Sequence, residues 1–228
     1  AEKIFTKRIP HTVDFQIDGP EFELYREITR FVKRQSAKAA AQGDDPRARA
    51  VGFLMSLYQR RLASSTYAMQ HSLENRARRL EDGLKRAQDI VRLAPPDLPA
   101  ALSDTAAQAG LPDPEELDEM EENERERLEQ MLEAITLAGN AAQVREEIEE
   151  LRGLARQAEV VEASDREAKL SKLKDLLHQE GFFDHSDQRL LIFTEFKDTL
   201  DYLVGRLKSW GFRVGSIHGG MKPGTRND

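Results

Sequence analysis

Residues 188–228 read QRLLIFTEFKDTLDYLVGRLKSWGFRVGSIHGGMKPGTRND, and this stretch decides the fold. Residues 189–194 are a short apolar run rich in β-formers, the pattern of a strand buried on both faces. Leu200, Leu203, Val204 and Leu207 then recur at helical spacing, and Gly211 closes that helix. Residues 212–217 form a second short strand, and His218, Gly219 and Gly220 turn at its C-terminal end. Residues 222–225 look like the start of another helix. Strand, helix and strand in this order predict a parallel βαβ unit with a right-handed crossover. The unit stops before it reaches a sheet of ordinary size, so the expectation is that the chain is part of something longer.

Composition sets the outer bounds. The chain has 228 residues, enough for one or two domains, and a formal net charge of −7. It has no cysteine, which removes disulfides and thiolate zinc sites and suits a reducing, cytoplasmic compartment. No apolar run is long enough to span a bilayer, so no membrane partner is expected. The charge is uneven. Residues 1–93 carry a net +6, residues 94–168 a net −15 and residues 169–228 a net +2. The basic ends suit a polyanion, and the acidic middle does not.

Upstream the pattern is mostly helical. Residues 12–17 alternate through Val13, Phe15 and Ile17, which predicts a half-buried strand. Pro20 opens a helix whose stripe is Phe22, Tyr25, Ile28 or Thr29, and Val32. Residues 37–45 read as a linker. Pro46 opens an apolar helix through Val51, Phe53, Leu54, Leu57, Tyr58 and Leu62, and Ser64 or Ser65 caps the next. That helix runs to about Leu93 through Met69, Leu73, Ala77, Leu80, Leu84, Ala87 and Val91, near heptad spacing. After the proline-rich stop at 94–99, an acidic helical hairpin spans 113–162, with its break at Gly139 and Asn140. Ser164 or Asp165 caps a last helix containing Leu170, Leu173, Leu176 and Leu177.

The run FTEFKDTLDYL followed by SIHGGM resembles the opening of the second RecA-like domain of superfamily 2 ATP-dependent helicases and translocases. It is most similar to the Swi/Snf-type branch, including bacterial members related to the RNA-polymerase-associated ATPase. Phe193, Thr194, Phe196, Asp198, Thr199 and Leu200 match the first motif, and His218, Gly219 and Arg226 match the second. The junction strand and helix near the N-terminus, the Tyr58–Ser65 run with its arginine and serine pairs, and the Asp165–Lys169 segment are also similar to that family, although the junction begins with Pro10 here.

The resemblance implies a fold that is mostly α with a C-terminal α/β portion. Residues 1–36 would end the first motor lobe or form its junction. Residues 46–163 would be a helical inter-lobe insertion, made of a basic pair at 46–93 and the acidic hairpin at 113–162. Residues 164–228 would begin the second RecA-like domain. It implies ATP and Mg²⁺ in the full protein, double-stranded DNA as its partner, and backbone contacts from Thr194, Lys197, His218, Gly219 and Gly220. Such contacts position a strand without reading its sequence. Arg60 and Arg61, with Arg76, Arg78 and Arg79, are further phosphate candidates because guanidinium groups suit bidentate oxygen recognition. Glu195 is set aside as a poor neighbour for phosphate.

The chain lacks G-x-x-x-x-G-K-[ST] and an acidic Mg²⁺ motif, so this stretch alone is expected to bind no cofactor and hydrolyse no ATP. The alternative is a non-enzymatic helical adaptor that binds a protein through the acidic hairpin. An incomplete sheet also predicts self-association through its open edge. The histidines show no metal-ligand spacing.

Overall fold

The computed structural model describes residues 10–41, 43, 46–93, 124, 127, 141–164, 167–185, 188–219 and 221. These are mostly helical. Helix α1 is Gly19–Ala40, α2 is Pro46–Ser64, α3 is Thr66–Leu93, α4 is Ala141–Ala163, α5 is Ala168–Gln179 and α6 is Lys197–Ser209. Among the described residues no helix is long and apolar enough to cross a membrane.

The first four helices share one apolar core. Leu24, Ile28 and Phe31 of α1 meet Leu54, Leu57 and Tyr58 of α2, and Met69, Leu73 and Leu80 of α3. Against these, α4 lays Val144, Ile148, Leu151, Leu154, Ala158 and Val161, a near-heptad stripe whose main partner is α3. The apolar face of this arm of the expected acidic hairpin is therefore spent on the helices beside it. The other arm lies outside the described residues except for Glu124 and Arg127, both helical.

Several local expectations shift. The buried stripe of α1 is Leu24, Ile28, Phe31, Val32, Gln35 and Ala39, whereas Phe22 and Tyr25 are exposed. Periodicity alone allowed either phase, and α2 and α4 select the face that carries Leu24 and Phe31. The helix also runs on to Ala40 through part of the expected linker, because alanine is the best helix former. Ser65 caps α3 as expected, its Oγ accepting from Ala68 N–H at 3.1 Å. Ser164 does not cap α5; its hydroxyl donates back to the Val161 carbonyl at 2.6 Å and ends α4. Asp165 lies outside the described residues. Glu167 is the residue that precedes α5.

Helices α5 and α6 end alike. Gly211, at φ +93, donates to the Lys208 carbonyl while Phe212 N–H reaches Leu207; Gly181, at φ +76, and Phe182 repeat this after α5. Both are Schellman caps, which need a left-handed residue at C′ and so favour glycine. Beyond them Phe183 stacks on His178 and touches Phe212 at 4.8 Å, and Lys174 lies 5.3 Å over the Trp210 ring, which joins the two helices.

Among the described residues no strand ladder forms, which corrects the strand expectations. Residues 12–17 have no regular structure and are exposed at Val13 and Phe15, without a neighbouring strand to bury them. Residues 189–194 and 212–217 flank α6 without regular structure, and their burial alternates. Ile192, Thr194, Val214 and Ser216 are half-buried, while Leu191, Phe193 and Ile217 are 76%, 85% and 68% exposed. A non-helical segment stands on each side of α6, but burial on both faces is not present. Two short strands offer too little apolar surface to close a parallel sheet, which needs cover on each side.

The core predicts a clear split in stability. Leu54→Ala or Leu73→Ala should cost about 2–5 kcal/mol in urea unfolding, because both side chains are fully enclosed. Phe193→Ser should stay within about 0.5 kcal/mol, as expected of a surface change.

Candidate nucleic-acid interface

The site is built on the turn between α2 and α3. Ser65 is the single residue between the two helices, so its backbone and the ends of both helices need partners. Ser64 Oγ and Ser65 Oγ share hydrogen bonds with Thr199 Oγ1 at 2.8 and 3.0 Å, which brings in the first turn of α6. Lys169 of α5 donates through Nζ to the Ala63 carbonyl at 2.6 Å and reaches the Ser64 carbonyl at 3.4 Å. A cation there satisfies the last carbonyls of α2 and complements its dipole. Thr66 N–H, at the start of α3, donates to Glu167 Oε1 at 3.2 Å.

Above this turn lies a cleft of about 500 Å³. Arg60, Ser64 and Ser65 line one wall and Ile192, Thr194, Glu195 and Thr199 the other, with Lys169, Glu167 and Tyr202 between them. Two of the residues singled out in the sequence, Arg60 and Thr194, thus share one cleft although they are far apart in the chain. Arg60 does not stand alone there: its Nη2 pairs with Glu195 Oε1 at 2.8 Å, and both side chains are partly exposed. Glu195, set aside on sequence, is therefore the group that any phosphate must compete with at Arg60.

The remaining candidates separate. Arg61 is buried, 6% exposed; it donates through Nη1 to Ser72 Oγ at 2.9 Å and lies 5.3 Å over the Phe196 ring. It ties α2 to α3 and to the start of α6 and does not face solvent. Lys197 is half-buried at the first turn of α6 and pairs with Asp201, one turn on, at 2.9 Å. His218 is half-buried and Gly219 exposed in the turn, which closes through Met221 N–H to the His218 carbonyl at 3.2 Å. Gly220 lies outside the described residues. Arg61, Lys197, His218 and Gly219 do not line the cleft. Arg76, also a phosphate candidate, is 1% exposed and places Nε and Nη2 on Glu147 Oε1 at 2.8 and 2.6 Å. It pairs with the acidic α4.

Burial governs the electrostatics below the cleft. Glu167 is 4% exposed, and desolvation pushes its pKa up, opposed by the Thr66 N–H and by Lys169. Tyr202, which stacks on Tyr67 with ring centroids 5.0 Å apart, is pushed up as well, first by burial and then by the Glu167 carboxylate. Among the described residues no group of three or more acidic or histidine side chains could hold a metal ion. The chemistry on offer is binding by hydroxyls, two cations and an exposed aromatic rim.

No protein-family model, curated protein or solved structure matches this chain.

The two ion pairs across this region predict opposite outcomes. Glu147→Ala removes a carboxylate held by the enclosed Arg76 guanidinium and should cost up to about 3–5 kcal/mol of unfolding free energy. Glu195→Ala opens a partly exposed pair and should change stability by no more than about 1 kcal/mol.

Proposed function

We propose that this chain is part of an ATP-dependent translocase that moves on double-stranded DNA, of the superfamily 2, Swi/Snf-like kind that the sequence resembles. In this reading α2 to α4 are the inter-lobe helices, and the segment from α5 onward opens the second RecA-like domain. The observation that carries the proposal is the shared cleft. Arg60 and Thr194 belong to two separate motifs of the resemblance, and both line it. The placement of α6 between two non-helical segments at 188–196 and 212–218, each with alternating burial, is compatible with a RecA-like unit. The adaptor reading gains less, because the apolar face of α4 is already covered by α3 and α1.

The residues of this chain do not fit ATP and Mg²⁺. There is no glycine-rich phosphate loop, since Gly219–Thr225 has the wrong residue order, and no acidic motif for the metal. The part proposed for this chain is therefore contact with the DNA backbone. Arg60 would form a charge-assisted hydrogen bond to a phosphate oxygen after leaving Glu195, and Thr194 would donate its hydroxyl. Lys197, one helical turn away from Asp201, would add a point charge. None of these groups reads a base edge.

Fluorescence anisotropy of the chain with a short duplex at low salt tests the proposal. Arg60→Ala and Lys197→Ala should each weaken binding and lower the slope of log K against log salt by about 1. Glu195→Gln should tighten binding, because it removes the carboxylate charge that competes with phosphate at Arg60. Binding indifferent to all three changes would refute the proposal.

A further inference from the structure

We propose that Glu21 and Glu167 form a crossed carboxylate clasp that docks the α5–α6 segment on the α1–α4 core and so sets the shape of the cleft. Glu21, on α1, accepts through Oε2 from Ala168 N–H, the first amide of α5, at 2.8 Å. Glu167, just before α5, accepts through Oε1 from Thr66 N–H, the first amide of α3, at 3.2 Å. Each carboxylate therefore satisfies an orphan donor at the start of a helix in the other segment, where the helix dipole also favours negative charge. Lys169 and Thr199 complete the contact on the carbonyls and hydroxyls of Ala63, Ser64 and Ser65.

The apolar backing of these bonds is local, with Tyr202 stacked on Tyr67 and Phe196 under Arg61. The large buried cluster ends with Val161 of α4, and no residue of α5 or α6 belongs to it. A segment held outside the main core by a few hydrogen bonds and ring contacts opens more readily than the packed core itself. Glu167, Ser64, Ser65, Lys169 and Thr199 all line the cleft, so release would reshape it directly. This inference does not depend on what the cleft binds.

The surroundings give the clasp a pH response. Glu167 faces Glu21 from α1, Lys169 from α5 and Tyr202 from α6, while Glu162 of α4 acts on Tyr202. Glu21 also faces Asp18. The Tyr202 hydroxyl faces the Glu167 carboxylate and opposes the rise in its pKa. Burial raises the pKa of both carboxyl groups, the two backbone donors oppose it, and a like charge adds to it, Asp18 at Glu21 and Glu21 at Glu167. A raised pKa in the docked state means that docking binds protons. Docking is therefore strongest below the ordinary carboxylate pKa and weakens as pH rises through the raised value. A protonated carboxyl keeps one oxygen for the backbone amide, and glutamine copies that state.

Hydrogen exchange on the whole chain between pH 5 and 7.5, corrected for intrinsic rates, tests the clasp. In Glu21→Ala and Glu167→Ala, amides of α5 and α6 should exchange about ten-fold faster or more, with α1–α4 unchanged. Glu167→Gln should protect as well as the native chain and flatten the pH dependence. The proposal is overturned if Glu167→Gln loosens α5 and α6 as much as alanine does. It is also overturned if native protection falls on acidification, or if both alanine variants loosen α1–α4 equally.

Discussion

The turn at Ser64–Thr66 is the constraint on which the rest of the described chain depends. Two helices meet there across a single residue, and Ser65 and Thr66 are both buried. Buried backbone groups at helix ends must find partners, and water is excluded from most of this turn. The partners are Ser65 itself for Ala68 N–H and, from the start of α5, Glu167 for Thr66 N–H and Lys169 for the carbonyls of Ala63 and Ser64. Thr199 then holds both serine hydroxyls. Because these partners have to reach the turn, the starts of α5 and α6 are brought beside it. The cleft follows from that placement.

Two kinds of cohesion divide the molecule. Helices α1 to α4 are joined by apolar packing, reinforced at one point by the enclosed Arg76–Glu147 pair. The α5–α6 segment has its own aromatic links and meets the helical core through the hydrogen bonds around Ser65 together with the Tyr67–Tyr202 stack and the Arg61–Phe196 contact. An apolar core resists deformation because its side chains interdigitate at crystal-like density. A polar seam can exchange its bonds with water or with a ligand. Placing Arg60 and Thr194 on opposite sides of such a seam makes their separation the adjustable quantity in the site.

Much of the helical framework is legible in the sequence, and the reason is local. Leu54, Leu57 and Tyr58, and Leu73, Ala77 and Leu80, keep helical spacing and are buried as their pattern predicts. Gly211 closes α6 because only the chemistry of that one position matters. What the sequence hides is set by distant contacts. The phase of α1 depends on which neighbours it meets, so Phe22 and Tyr25 lie outside while Leu24 and Phe31 lie inside. Arginines carry no mark of burial, and Arg61 and Arg76 are enclosed by Phe196 and Glu147, which are remote in the chain. A ladder is likewise a property of two segments together, and β-forming residues at 189–194 and 212–217 do not supply it. In the site, Arg60 and Thr194 were legible one at a time. The pairing of Arg60 with Glu195, and the capping of α3 and α5 by Glu167 and Glu21, leave no local pattern to read.

The central claim is that one cleft, walled by the end of α2 and by the segment leading into α6, faces DNA. An amide NMR titration of the isotope-labelled chain with a short duplex tests it most directly. The account predicts that the perturbed amides fall on both walls together, at residues 60–66 and 192–199, and saturate at the same DNA concentration. Perturbations confined to the outer face of α4, or to one wall alone, would contradict it.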